Sequence, residues 1–97
     1  MFRLEYLPLA GLDILEAEAY LFEYSPKAAD IFTKAIEKQG TFLINNPLIY
    51  KTYEEKPYFR YMPLPYKYLC FYHVDESAKT ITVHRILRGM RDIPNIL

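Results

Sequence analysis

The chain has 97 residues, of which 52% are hydrophobic and 16% aromatic, and its 12 basic and 12 acidic side chains cancel. This composition excludes a disordered protein, and zero net charge argues against a protein that binds nucleic acid through bulk charge. A single domain over residues 1–97 is expected. The one cysteine, Cys70, excludes an internal disulfide, so a reducing cytoplasm is the simplest compartment. No apolar run approaches the roughly 18 residues that a membrane span needs.

The charges are unevenly distributed along the chain. Residues 1–48 carry 4 basic and 7 acidic side chains, whereas residues 49–97 carry 8 basic and 5 acidic ones. The sequence therefore predicts an acidic helical half that packs against a more basic half.

The first predicted elements are a short strand and a helix. Apolar and charged side chains alternate over residues 2–6, which indicates a strand, and Pro8 ends it. Asp13 and Glu16 have the spacing of a capping box, in which the first residue caps the helix and the second reaches back to it. Apolar residues then recur at helical spacing, so a helix is predicted over residues 13–24.

A second helix is predicted directly after the first. Ser25 is a suitable N-cap and Pro26 suits the first helical position. Gly40 is tolerated inside the helix at about 1 kcal/mol relative to alanine. The helix is expected to continue to about Asn45, because the dipeptide ending in Pro47 is the stronger stop signal. The two helices form an antiparallel hairpin.

The rest of the chain indicates strands. Residues 48–57 are predicted to be a loop and residues 58–62 a strand, followed by a proline-rich connection at 63–65 that a central strand would not accommodate. Residues 67–75 and 79–88 are predicted to pair as a long hairpin. The predicted fold is α+β in the order β-α-α-β-β-β, with the helical hairpin packed on one antiparallel sheet.

Arg85 is predicted to belong to the scaffold. Strict alternation along the last strand places Arg85 on the helix-facing side together with Val83 and Leu87, and turns the even-numbered residues away. A buried arginine has to be paired, so a structural ion pair with a helix carboxylate such as Asp13 or Glu16 is expected.

Four other side chains are candidates for function. Arg60, Arg88, Arg91 and His84 are expected to line the open face of the sheet near one end. Arginine suits phosphate because its planar fork donates two hydrogen bonds, and histidine suits proton transfer near neutral pH. The alternative is that these side chains are ordinary solvated surface groups.

Tyrosines accompany these basic residues on the predicted sheet. Tyr68 and Tyr72 are candidates for binding a target or for stacking unpaired bases, and packing in the core is the alternative. The two histidines and the scattered carboxylates form no recognisable metal motif, and Cys70 lies in an apolar strand that disfavours a reactive thiolate. No metal and no cofactor are expected.

The C-terminal hairpin carries a family resemblance. Residues 68–76 read Tyr-Leu-Cys-Phe-Tyr-His-Val-Asp-Glu, and residues 81–93 read Ile-Thr-Val-His-Arg-Ile-Leu-Arg-Gly-Met-Arg-Asp-Ile. Together with the predicted order of elements, these segments resemble the RelE/ParE superfamily of bacterial toxins, which includes plasmid stabilisation proteins. The resemblance implies a small cytoplasmic toxin that a cognate antitoxin neutralises.

Two branches of this superfamily imply different targets. One branch cleaves ribosome-bound mRNA, and there the resemblance implies catalytic roles for Arg60, Arg88 and Arg91, with His84 in proton transfer. The other branch inhibits DNA gyrase. Leu69 stands where ribonuclease-type members commonly carry an arginine, and Arg88 stands where they often carry a histidine.

These departures and the low basic charge favour the ParE-like branch, in which the protein is not an enzyme. Its expected partner is an antitoxin that covers exposed apolar surface or extends a sheet edge, with acidic residues facing the basic half of the toxin. A ribosome-dependent endoribonuclease is the alternative. A non-toxic protein of the same fold that acts only by binding other proteins is a second alternative. The sequence leaves the oligomeric state open.

Overall fold

The chain begins with strand β1, Arg3–Tyr6, followed by helices α1, Pro8–Tyr24, and α2, Pro26–Asn45. Strands β2, Thr52–Tyr53, β3, Lys56–Leu64, β4, Tyr68–Asp75, and β5, Thr80–Arg88, come next, and the short helix α3 spans Ile93–Ile96. The structure is a computed structural model and describes residues 1–89 and 93–97. Within these residues, five strands form one sheet in the order β1-β5-β4-β3-β2.

The sheet is mixed, whereas the sequence analysis predicted an antiparallel one. Strand β1 pairs parallel with β5, with Leu4 opposite Ile81, and the other neighbouring strands pair antiparallel. A parallel pair needs a long connection, which here comprises both helices and three strands. The predicted α+β class, with a helical hairpin packed on one sheet, is confirmed.

Helix α1 begins at Pro8, well before the predicted start at Asp13. Proline fits the first helical position because its φ is preset and because the N–H it lacks would have no partner inside the helix. Asp13 lies in the second turn, buried, and is not the N-cap. Helix α2 matches its prediction: the Ser25 hydroxyl accepts a hydrogen bond from the backbone N–H of Ala28 at 3.3 Å.

Gly40 allows β1 to approach α2 closely. A Cβ at this position would lie 3.1 Å from Cδ2 of Leu4 and 3.6 Å from the hydroxyl of Tyr6. The first of these contacts is tighter than a carbon–carbon contact normally allows. The close packing of strand on helix therefore explains a glycine in a helix interior, where it costs about 1 kcal/mol relative to alanine.

The predicted loop at residues 48–57 contains β2 and the start of β3, and β3 continues through Pro63. Pro63 is tolerated because its nitrogen faces the edge of the sheet. The backbone N–H of Tyr61 donates towards β2, to the carbonyl of Lys51 at 3.2 Å. The nitrogen of Pro63, two residues on, points to the same side but beyond the end of β2, so no hydrogen bond between strands is lost.

Strand β5 contains a β-bulge. Val83 lies opposite Tyr72 and Arg85 lies opposite Phe71, which leaves His84 as an extra residue on β5. A bulge of this kind reverses the alternation of side chains beyond it.

The reversal corrects the predicted facing of β5. Ile86 packs in the cluster beneath the helices, whereas Leu87 packs on the opposite face of the sheet. Arg88 lies opposite Tyr68, a member of the helix-side cluster, and is therefore on the helix side. Strict alternation had predicted the reverse for all three, and it had also placed Arg85 on the helix face, whereas the register sets Arg85 opposite Phe71 of the other face. The error arose because an inserted residue leaves no mark on the apolar pattern.

Apolar clusters cover both faces of the sheet. The larger one lies between the sheet and helices α1 and α2, and its fully buried members are Ala10, Phe32, Tyr72 and Ile81. The smaller one lies on the other face, where Phe71 and Leu87 pack with Ile93 of helix α3. The sheet face predicted to be open is therefore partly covered.

Candidate functional site

Arg85 forms a two-pronged ion pair with Asp13 of helix α1. Its Nε lies 2.8 Å from Oδ2 and its Nη2 lies 2.9 Å from Oδ1, and the two side chains are 21% and 9% exposed. These hydrogen bonds raise the pKa of Arg85 above its ordinary value. Asp13 is one of the two carboxylates proposed as partners from the sequence.

The same carboxylate completes the edge of β5. Strand β1 ends at Tyr6, so beyond Val83 the strand β5 has no neighbour on that side. There Oδ2 of Asp13 accepts the backbone N–H of Ile86 at 2.9 Å. The carboxylate thus takes the place of a missing strand carbonyl, because a buried N–H needs a partner. Arg85 and Asp13 are parts of the scaffold.

Arg60 fastens the segment between α2 and β2. Its Nη1 donates to the carbonyl oxygens of Tyr50 at 2.6 Å and of Leu48 at 3.4 Å. The register places Arg60 opposite the buried Tyr72, on the helix side of the sheet. One arm of the guanidinium is therefore used to hold backbone.

Arg60→Ala is expected to lower the free energy of unfolding by about 1–2 kcal/mol, because hydrogen bonds from a charged donor to two carbonyls are lost at a partly exposed site. Urea unfolding followed by circular dichroism measures the change. Arg3→Ala, which breaks an exposed pair with Glu5, is the control and should cost less than about 0.5 kcal/mol. Equal stability of Arg60→Ala and the parent protein would contradict the anchoring role.

Arg88 is held against helix α1. Its Nη1 donates to the hydroxyl of Tyr20 at 2.8 Å, and its guanidinium carbon lies 5.0 Å from the centre of the same ring. The Tyr20 hydroxyl donates in turn to that of Tyr24 at 3.2 Å. The hydrogen bond to Tyr20 raises the pKa of Arg88. Arg88 is thus oriented, and its other N–H groups have no partner among the described residues.

Arg60 and Arg88 do not converge on one site. Strand β4 lies between β3, which carries Arg60, and β5, which carries Arg88. Arg60 is opposite Tyr72 and Arg88 is opposite Tyr68, so the two positions are four residues apart along β4. At about 3.4 Å per residue and 4.8 Å between strands, this places their Cα atoms roughly 16 Å apart. Arg91, the third predicted member, lies outside the described residues.

His84 lies on the other face of the sheet. Its ring packs against that of Phe59, with the ring centres 4.9 Å apart, and Phe59 alternates with Arg60 along β3. Burial lowers the pKa of His84, and the nearby His73 lowers it further. The ring is therefore mainly neutral at pH 7, and neither Arg60 nor Arg88 shares its face.

The two tyrosines predicted to contact a target are in the core. Tyr72 is fully buried, and Tyr68 is buried with its ring centre 5.0 Å from that of Phe32. Burial raises the pKa of Tyr72. Cys70 lies between them on β4, and burial raises the pKa of its thiol to about 12, so it is not a nucleophile at neutral pH.

A cleft beside Arg88 brings together residues that the sequence analysis missed. It has a volume of about 500 Å³ and lies between the α1–α2 turn and the connection from β3 to β4. Its lining residues are Tyr20, Leu21, Tyr24, Ala28, Tyr66, Lys67 and Arg88. These residues come from four separate segments, so no local motif signals the cleft. Arg88 is its one member among the predicted site residues.

Helix α1 also exposes apolar side chains to solvent. Leu12, Leu15 and Phe22 share one side of the helix and are 54%, 62% and 59% exposed. The exposed Glu16 and Glu23 border the same side. An apolar stripe of this kind, with an acidic border, is typical of a surface that binds another protein.

Neither a metal nor a membrane span is indicated in the described part of the chain. Across residues 1–89 and 93–97, no three histidine, cysteine, aspartate or glutamate side chains are grouped so as to hold a metal ion. In the same residues, no helix combines the length and the apolar character needed to cross a membrane.

Comparison with protein families shows where this fold and sequence belong. Residues 4–93 match the family described as the ParE toxin of the type II toxin–antitoxin system parDE. The chain belongs to the ParE toxin family. The resemblance seen in the C-terminal hairpin is thereby confirmed, and the match extends over nearly the whole sequence. As a member of this family, the protein is classed as a type II toxin.

A solved structure shares the fold of this ParE-family chain. The chromosomal ParDE toxin–antitoxin system from P. aeruginosa contains a chain that superimposes with a TM-score of 0.73 at 22% sequence identity. The alignment covers 93% of this chain and 98% of that one. A search of curated protein sequences finds no match.

Proposed function

We propose that this ParE-family toxin arrests bacterial growth by binding DNA gyrase, and that an antitoxin encoded beside it holds it inactive. The proposal rests on family membership and on one structural observation: Arg60, Arg88 and His84 are dispersed. Ribonuclease chemistry needs cationic groups and a proton-transfer group gathered around one phosphate. Arg60 holds backbone, Arg88 is roughly 16 Å away, and His84 lies on the other face of the sheet.

The antitoxin is proposed to cover the apolar stripe of α1. Leu12, Leu15 and Phe22 recur at the spacing of one helix face, which suits an amphipathic helix laid alongside. Glu16 and Glu23 favour basic side chains at the border of that segment. This differs from the expectation of an acidic segment facing the C-terminal half, because the exposed apolar stripe lies on the acidic helix.

The target is tested by inducing the chain in bacteria and following DNA supercoiling and protein synthesis separately. Growth arrest with relaxed plasmid DNA, while translation and mRNA remain intact at early times, is the expected result. The purified protein should also inhibit supercoiling by gyrase. Early mRNA cleavage with gyrase unaffected would instead support the endoribonuclease alternative. A folded protein that causes no arrest would support the non-toxic one.

The antitoxin surface is tested with Leu12→Glu combined with Leu15→Glu. This variant should remain toxic but lose rescue by the neighbouring reading frame, because two charges are placed in the apolar contact. Ile49→Glu, at an exposed apolar position outside α1, is the control and should still be rescued. Full rescue of the α1 variant would show that the antitoxin binds elsewhere.

A further inference from the structure

The cleft beside Arg88 is lined by two cationic side chains. Its lining contains Arg88 and Lys67 but no carboxylate, although the chain as a whole is neutral. Within the described residues, Arg88 forms no salt bridge, and its contact is the neutral hydroxyl of Tyr20. Among residues 1–89 and 93–97, the lining of the cleft is therefore cationic and contains no counterion.

The other walls of the cleft are aromatic. Tyr20, Tyr24 and Tyr66 line it, and Tyr24 and Tyr66 are 75% and 39% exposed. Tyrosine rings stack on flat conjugated groups such as nucleobases, because every base has an aromatic face. Cationic donors next to accessible aromatic rings suit a ligand that combines an anionic group with a planar ring.

The backbone beside the cleft is strained. Tyr66 and Lys67 have φ angles of 63° and 65°, a left-handed conformation that non-glycine residues rarely adopt. The carbonyl of Lys67 accepts the backbone N–H of Gly89 at 2.7 Å, and a Cβ on Gly89 would lie 3.3 Å from that oxygen. Backbone strain of this kind occurs preferentially at functional sites, including ligand sites.

We propose that this cleft binds a nucleoside 5′-phosphate, with the phosphate on Arg88 and Lys67 and the base among the tyrosines. The guanidinium is already oriented by Tyr20, and its N–H groups that have no partner among the described residues suit phosphate oxygens. The volume of about 500 Å³ is within the range of small-molecule sites. This inference is independent of the proposed action on gyrase.

An acidic peptide fits the cleft less well. A peptide that adds to a sheet needs a free strand edge, but Tyr68 of β4, beside the cleft, is paired with Leu64 on one side and Arg88 on the other. A peptide also gains little from adjacent tyrosine rings, whereas a purine or pyrimidine has two flat faces on which such rings can stack. The observations therefore favour the nucleotide.

Isothermal titration of the full chain with adenosine 5′-monophosphate tests the site. We expect one binding site with micromolar affinity, and binding at least about tenfold weaker for adenosine and for ribose 5-phosphate, because each lacks one half of the ligand. Arg88→Gln and Lys67→Gln should each weaken binding by about tenfold, the loss typical of one charge-assisted hydrogen bond. Lys38→Gln, on the exposed side of α2, is the charge-matched control and should bind normally.

Tyr24→Leu separates stacking from charge. It should weaken the binding of adenosine 5′-monophosphate by about tenfold, because a stacking ring is lost. The weak binding of ribose 5-phosphate should be unchanged, because the phosphate contacts remain. Tyr58→Leu, an exposed tyrosine on another part of the sheet, is its control. Circular dichroism establishes that each variant is folded.

Further ligands identify the source of the nucleotide. Equal affinity for a trinucleotide and for adenosine 5′-monophosphate would support a free nucleotide as ligand, and tighter trinucleotide binding would support the end of a single strand. The proposal is overturned if millimolar adenosine 5′-monophosphate does not bind, if inorganic phosphate binds as tightly, or if an acidic peptide binds there and the nucleotide does not. Unchanged binding by both Arg88→Gln and Lys67→Gln would also overturn it.

Discussion

Asp13→Ala is expected to lower the free energy of unfolding by about 3–5 kcal/mol, because it leaves the largely buried Arg85 without its counterion. The backbone N–H of Ile86 loses its acceptor as well, and a buried unsatisfied donor is costly in its own right. A domain of this size has a total stability of roughly 5–15 kcal/mol. The variant should therefore melt at least about 12 °C lower, as measured by circular dichroism.

Asp30→Ala is the matched control for this prediction. Asp30 also pairs with a cation, Lys34, at 2.9 Å, but both side chains are more than half exposed. The loss there should be below about 0.5 kcal/mol, as for an exposed pair within one helix. Because both variants remove a carboxylate from an ion pair, the difference between their losses of stability measures the effect of burial. Similar losses for Asp13→Ala and Asp30→Ala would contradict the role assigned to Asp13 at the edge of β5.

Phe32→Ala is expected to cost about 3–5 kcal/mol, since it leaves a cavity under the helical hairpin. Phe32 is fully buried, and its ring meets that of Tyr68 at a centre-to-centre distance of 5.0 Å. It therefore joins α2 to β4, and its loss weakens the contact between the helices and the sheet. Urea unfolding, read at a helix signal and at a tyrosine signal, measures the loss.

Phe22→Ala removes the same side chain from an exposed position on α1 and serves as the control. Phe22 is 59% exposed, so its removal should change the stability by less than about 1 kcal/mol. If Phe22 lies under the antitoxin as proposed, the same variant should bind the antitoxin less tightly. A large loss of stability in Phe22→Ala would show that the hairpin surface is part of the core.

Local signals were sufficient to predict most elements. Helix α2 starts at Pro26 because Ser25 caps it, and both residues are adjacent in sequence. The strands of the β4–β5 hairpin were predicted to within a residue at each end, because alternation and turn composition are local. The pair between Arg85 and Asp13 was predicted from the rule that a buried charge needs a partner, although the face of the sheet predicted for Arg85 was wrong.

Non-local geometry was the source of the errors in strand pairing, facing and clustering. The parallel pairing of β1 with β5 joins residues at opposite ends of the chain, and alternation says nothing of which strands are neighbours. The bulge at His84 inserts one residue without changing composition, so the predicted facing of Leu87 and Arg88 was wrong. The basic residues were expected to cluster because they are close in sequence or on neighbouring strands, but Arg60 and Arg88 lie on the two strands that flank β4, four residues apart along it.

By itself the sequence determined the α+β class with a helical hairpin, and the resemblance of the C-terminal hairpin to a toxin family. Those conclusions depend on local periodicity, capping and motifs, which are properties of neighbouring residues. Only the tertiary structure decided that Asp13 completes the edge of β5, that Tyr72 is buried, and that Tyr20, Tyr66 and Lys67 surround Arg88. These depend on strand order, register and one bulge, which arise from packing between segments far apart in the chain.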